Sequence, residues 1–256
     1  MPWIDMLPGV VLWVFIYFCR IGGMLMVFPG YASARVPLRV RLFLAVAVTA
    51  ALTPMLLQLP AARPLVIGEA TPGTLLFLVA GELLKGVTIG LMARLILLAL
   101  DFMMTAVTMY IGLGNFPGAP AEGLEPVPPL VALISLTATV LIFATGLHAQ
   151  ALVAVVESYA VSPVGTIMNA ADSLSDIVDK LAFGTWLAFQ ATAPFLVYAV
   201  IVNLAVGLVN RLTPQIPAYF ISLPVIMIGG LLLLFFVMDE MTGVFMQGFA
   251  DWLFNG

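Results

Sequence analysis

Glu82 and Lys85 stand three residues apart in the apolar run ELLKGVTIGLMARLILLALDFMM, with Arg94 and Asp101 following in the same run. Ionisable groups in so greasy a stretch either line an ion or proton path or are neutralised against protein. Residues at i and i+3 share a helix face, so Glu82 and Lys85 read equally as a self-neutralising pair and as charges packed against neighbouring subunits. With His148 of ATGLHAQAL, the sequence's one histidine, Glu82, Lys85 and Asp101 would, on an alternative reading, compose the ion or proton path of a small secondary transporter. Inverted sequence repeats, which would favour such a transporter, are not visible. His148 and Gln150 read otherwise as polar groups hydrogen-bonding across a helix interface.

Other chemistries find fewer parts. A single histidine excludes a metal site built from clustered His ligands, and Cys19 is too isolated to complete one, so no metal is expected. Cys19 is also the only cysteine, which excludes an intrachain disulfide and favours a buried structural thiol. Ser135, Ser158 and Ser162 lie outside any GxSxG elbow, and no catalytic residue is assigned. GLGNFPG lacks the preceding strand, the following helix and a third glycine at the spacing of a dinucleotide fingerprint; no cofactor is expected and the chain is not read as an enzyme. The nine Lys and Arg residues are dispersed, against a net charge of −4, so no stripe exists to track nucleic acid.

The elements that hold these residues belong to a membrane. Of 256 residues 63% are hydrophobic and 9% charged, whereas a soluble domain is about half apolar and a quarter charged. Six apolar segments, roughly 6–28, 42–60, 75–100, 127–156, 181–209 and 217–238, approach or exceed the about 20 residues that cross a bilayer as a helix. They lack the alternation of barrel strands, which makes the chain an all-α membrane protein of six long helical segments in hairpins. Asp5 stands where a secretory signal would carry Lys or Arg, so the first segment is expected to be retained. Pro54 and Pro194 each remove a backbone hydrogen bond inside a segment and favour a kink or break. Arg35, Arg39 and Arg41 place their loop in the cytoplasm, with Arg211 on the same side, both termini opposite and Arg63 an exception. That loop is suited to a cytoplasmic partner or to anionic lipid headgroups.

Between the third and fourth segments lies GLGNFPGAPAEGLEPVPP. Pro117 and Pro120 oppose helix, and Gly112 and Gly114 permit backbone angles that other residues resist, which predicts an irregular loop. Irregular backbone at membrane depth persists only against protein or beside a water-filled cavity. Met103, Met104 and Met109 run into the loop and Phe116 lies within it. Flexible, polarisable thioethers serve either as ordinary packing or as a seal that adapts to varied passengers.

RLTPQIPAYFISLPVIMIGGLLLL from Arg211, CRIGGMLMVFPGYASARVPLRVRLFLAVAVTAALTP, ELLKGVTIGL and GLHAQALVAVVESYAVSP together resemble the FliR family of flagellar export-gate proteins. SctT-like proteins of the injectisome are its relatives, and the similarity covers nearly the whole chain in order. The resemblance implies one copy of this chain assembling with several FliP-like and FliQ-like subunits into a helical gate in the bacterial inner membrane. That gate would stand at the flagellar basal body or injectisome base, with FlhB-like and FlhA-like export components nearby. Residues 1–180 would form a FliP-like part carrying a plug loop near 106–126, and 181–256 a FliQ-like C-terminal hairpin. The implied plug and gasket comprise Met103, Met104, Met109, Gly112, Gly114, Asn115, Phe116, Pro117 and Gly118. Subunit packing would fall to Glu82, Lys85, Arg94, Gly207, Arg211, Pro214, Gln215 and Pro224. Unfolded export substrates would pass through the pore. The resemblance also implies a right-handed spiral of inclined hairpins raised partly out of the bilayer, at odds with six simple spans.

Overall fold

The computed structural model describes residues 2–62, 71–114, 118–120, 126–166, 170–213 and 218–255. Among these the chain is a succession of α-helices: α1 (Pro2–Leu25), α2 (Leu38–Leu56), α3 (Pro72–Tyr110), α4 (Pro129–Ala144), α5 (Leu147–Val161), α6 (Ala170–Leu212) and α7 (Ala218–Asn255). A 3-10 turn at Pro60–Ala62 follows α2, and two short strands, β1 (Ala119–Pro120) and β2 (Pro126–Val127), lie between α3 and α4. Four of the helices are long and apolar enough to cross a membrane, and α4 with α5 makes a fifth candidate span containing a break. The chain is an all-α membrane protein.

The fourth apolar segment is two helices instead of one. Gly146, at φ 79°, caps α5, an angle that glycine adopts without a Cβ penalty. Pro54 and Pro194 do not break their helices: α2 continues two residues past the one, and α6 runs from Ala170 to Leu212 through the other. The third, sixth and seventh helices outrun their apolar segments because a helix does not stop where charge begins. α6 takes in Asp176 and Asp179, and α7 takes in Asp239, Glu240 and Asp251.

The chain divides into two compact units, Met1–Leu95 with Thr145–Lys180 and Ile96–Ala144 with Leu181–Gly256. In the first, Ile16, Tyr17, Ile21, Met24 and Leu25 of α1 are buried together with Val155, Val156 and Tyr159 of α5. Tyr17 meets Tyr159 edge-on at 6.0 Å between ring centroids, a favoured aromatic arrangement. The backbones of α1 and α3 touch through glycine. A Cβ on Gly23 would lie 2.8 Å from the Leu83 carbonyl oxygen, and one on Gly90 2.6 Å from that of Met24. Gly86 and Gly90 form the GxxxG spacing that brings membrane helices this close. Arg41 donates from Nε to the Val36 carbonyl at 2.9 Å and also bonds the Ser33 carbonyl, which fixes the turn into α2, while Arg35 and Arg39 are exposed.

In the second unit, Ile96, Leu100, Met104 and Val107 of α3, with Ile111 just past its end, recur every three or four residues on the buried face. Leu187, Ala191 and Phe195 of α6 and Phe245 and Phe249 of α7 are buried in the same unit. Ser135 of α4 donates to Asp101 of α3 at 3.4 Å. Outward-facing Phe235, Phe236, Val200 and Ile228 leave α6 and α7 apolar on their exposed faces, a surface suited to lipid or to other membrane subunits.

Candidate functional site

Two constructions gather the residues singled out by the sequence: a buried ion cluster in the first unit and the loop after α3 in the second.

The cluster is built on Glu82, which is 1% exposed. Its Oε2 accepts from Arg20 Nε at 2.7 Å and its Oε1 from Lys85 Nζ at 2.9 Å. Arg20 is fully buried and Lys85 is 5% exposed, so two cations share one carboxylate and one positive charge is left over. The end of α5 absorbs it. Arg20 Nη2 donates to the Ser162 carbonyl at 2.9 Å and Nη1 to Ser158 Oγ at 3.0 Å. Lys85 Nζ donates to the Pro163 carbonyl at 2.9 Å and to Thr166 Oγ1 at 3.2 Å. The C-terminus of a helix carries partial negative charge on its carbonyls, which favours cations placed there. The Arg20 guanidinium also lies 3.8 Å from the centre of the Tyr159 ring, a cation–π contact.

Glu82 and Lys85 are therefore an ion pair, but not a self-contained one. Arg20, sixty-two residues before Glu82, is the third member, and the site assignment made from the sequence did not include it. The signal available was an arginine inside an apolar run that needed a carboxylate from elsewhere. Arg94, grouped with this pair by the sequence, is exposed and makes no ion pair among the described residues. Both Glu82 oxygens are occupied by fixed cations, so a proton or ion path through Glu82 would have to dismantle the cluster.

The loop is prepared by the end of α3. The Gly112 amide donates to the Met109 carbonyl at 3.2 Å and the Leu113 amide to Thr108 at 2.9 Å, the paired bonds of a Schellman motif with Gly112 as its left-handed residue at φ 78°. Gly114 folds against Met109, where a Cβ would come within 3.0 Å of that side chain. The loop is not wholly irregular. Ala119 pairs with Val127 and Pro120 with Pro126 in a short antiparallel ladder, and Gly118 lies flush on the Val127 carbonyl, leaving no room for a side chain. The ladder closes a neck just before α4.

The expected gasket methionines divide by helical period. Met104 is fully buried in its own unit, Met103 is half-buried, and Met109 is 65% exposed, so Met109 has the freest side chain of the three. Asn115, Phe116 and Pro117 lie outside the described residues, as do Pro214, Gln215 and Arg63. Gly207, Arg211 and Pro224 are exposed, and a Cβ on Gly207 would meet nothing within 4 Å. His148 is half-buried in the first turn of α5, and Gln150 is exposed rather than set in a helix interface.

The fold is that of an apolar, all-α membrane protein with a necked, glycine-rooted loop between α3 and α4. Residues 11–252 match the family described as Bacterial export proteins, family 1, and the chain belongs to that family. It is 31% identical over 218 residues to the flagellar biosynthetic protein FliR of Caulobacter vibrioides, covering 85% of this chain and 84% of the relative. It is 26% identical over 236 residues to the FliR of Aquifex aeolicus, covering 91% and 87%. These relatives place the chain in the FliR family as a membrane component of the flagellar export apparatus, which works with other export proteins.

Proposed function

We propose that the chain is the single-copy subunit of an export gate, assembling with several FliP-like and FliQ-like subunits in the bacterial inner membrane at the flagellar basal body. In this reading residues 1–180 act as the FliP-like part and 181–256 as the FliQ-like hairpin, with FlhB-like and FlhA-like components as further partners. The loop from Gly112 to Gly118, with Met103, Met104 and Met109 at its base, closes the pore at rest and yields to unfolded substrates. Arg94, Gly207, Arg211, Pro214, Gln215 and Pro224 meet neighbouring subunits, and Glu82 and Lys85 support that packing from inside the first unit, where they tie α3 to α1 and to the end of α5.

The observation that supports this most is the loop's construction: a Schellman root at Gly112, a laddered neck at Gly118, and an apolar helix on either side, the long α3 before it and the shorter α4 after it. Irregular backbone of this kind within a membrane protein belongs against protein or beside an aqueous path. Opening needs a state that the passenger binds better than the closed one, since equal affinity for both shifts nothing. Deleting Gly112 to Gly118 in an assembled gate is expected to raise resting ion conductance. An unchanged resting conductance would sink the proposal.

A further inference from the structure

The loop's root does not rest on α3 alone. Ile111, the last buried residue before the loop, sits against Gly230 of α7: a Cβ added at Gly230 would lie 2.8 Å from both Cβ and Cγ2 of Ile111. One residue on, Gly112 faces Leu223 and Met227 of the same helix, where a Cβ would stand 2.8 Å from Leu223 Cδ1 and 3.5 Å from Met227 Cγ. The preceding glycine of α7 faces α6. A Cβ on Gly229 would lie 3.1 Å from Tyr198 Cζ, and the Tyr198 hydroxyl donates to the Ile226 carbonyl at 2.8 Å. The adjacent pair Gly229–Gly230 is thus a double notch, one side taking a ring from α6 and the other taking the base of the loop. Every residue involved lies in the second compact unit.

We infer that Gly112, Leu223, Gly229 and Gly230 are positioning residues for the loop, and that α7 holds the loop's root in place through the Ile111 seat. This rests on the reading that the loop closes the pore. The physical reason is the absence of slack. The Schellman bonds fix Ile111 and Gly112 relative to α3, and the notch fixes them relative to α7, so the loop leaves from a point held on two sides. A methyl group at position 230 fits only if Ile111 moves, since real Cβ atoms do not approach this closely. Packed contacts of this kind shift between discrete arrangements instead of yielding gradually.

The test compares resting ion conductance of assembled gates in planar bilayers carrying wild type, Gly230→Ala, the size swap Ile111→Gly with Gly230→Ile, and the deletion of Gly112 to Gly118. Subunit stoichiometry is checked for each. Gly230→Ala is expected to raise resting conductance by about tenfold, the change that about 1.4 kcal/mol makes in a closed-to-open ratio. The swap, which moves the bulk from one side of the seat to the other, is expected to restore it; a purely global defect would not be rescued in this way. If the deletion leaks while assembled Gly230→Ala gates stay tight, or if the swap fails to restore closure, the seat is overturned and the gate reading stands. If the deletion itself does not leak, the gate reading falls. Should Gly230→Ala fail to assemble, Leu223→Ala and Ile111→Ala empty the same contact without a clash. Each is then expected to leak, and tight gates from both overturn the inference.

Discussion

Glu82→Gln is the most informative single change in the first unit. Glutamine has almost the same shape, so packing survives while the only negative charge in the cluster is lost. Arg20 Nε and Lys85 Nζ each donate to one Glu82 oxygen, at 2.7 and 2.9 Å. An amide offers one oxygen and one NH2 group, so one cation must face a donor. Removing one partner of a buried ion pair costs about 3–5 kcal/mol, because the remaining charge stays buried without compensation. At about 2–4 °C per kcal/mol for a chain of roughly this size, the midpoint of thermal unfolding is expected to fall by about 6–20 °C. Lys85→Met supplies the contrast. It removes the surplus cation, leaves the Arg20–Glu82 pair neutral and intact, and lets Thr166 keep its own bond to the Pro163 carbonyl at 2.8 Å. Its loss is expected to be less than half that of Glu82→Gln. The assay is intrinsic tryptophan fluorescence on heating in mild detergent. Equal losses for the two variants, or no measurable loss for Glu82→Gln, would refute the shared-carboxylate account.

The glycines separate internal packing from subunit packing. Gly86→Ala places a Cβ 2.7 Å from the Arg20 carbonyl carbon and is expected to lower the unfolding midpoint, whereas Gly81→Ala, with nothing within 4 Å, is expected to leave it unchanged or raise it slightly by thermal scan. Gly207→Val is expected to be silent in the isolated chain, where its surroundings are open, and to reduce recovery of the assembled complex on affinity purification, as a subunit-facing position requires. Cys19, buried at 6% exposure, is expected to resist maleimide in native detergent-solubilised protein and to react fully after denaturation, read by intact mass.

The helices were legible because long apolar runs in a membrane leave the backbone no alternative to helix. Their ends were not. Hydropathy stops at the first charges, while α7 continues through Asp239, Glu240 and Asp251 to Asn255. The break before α5 depends on Gly146 in a left-handed conformation, and a Thr-Gly pair in an apolar run does not announce it. Glu82 and Lys85 could be paired from their spacing, but Arg20 could not, since no local period links residues this far apart in sequence. For the methionines the helical period was the missing step. Met104 falls on the same face as Leu100, Val107 and Ile111, which buries it, while Met109 falls on the other. The seat of Ile111 on Gly230 was beyond sequence reasoning altogether, because two glycines in an apolar helix look alike whether they face lipid, a ring or a loop.

On the proposed function, this chain works as one subunit of a heteromeric gate. Native mass spectrometry of the complex recovered in mild detergent through a tag on this chain, expressed from its own locus, tests it most directly. One copy bound to several copies of two other small membrane proteins is the predicted result. A stable lone chain or a homodimer, recovered without other membrane subunits, would contradict it.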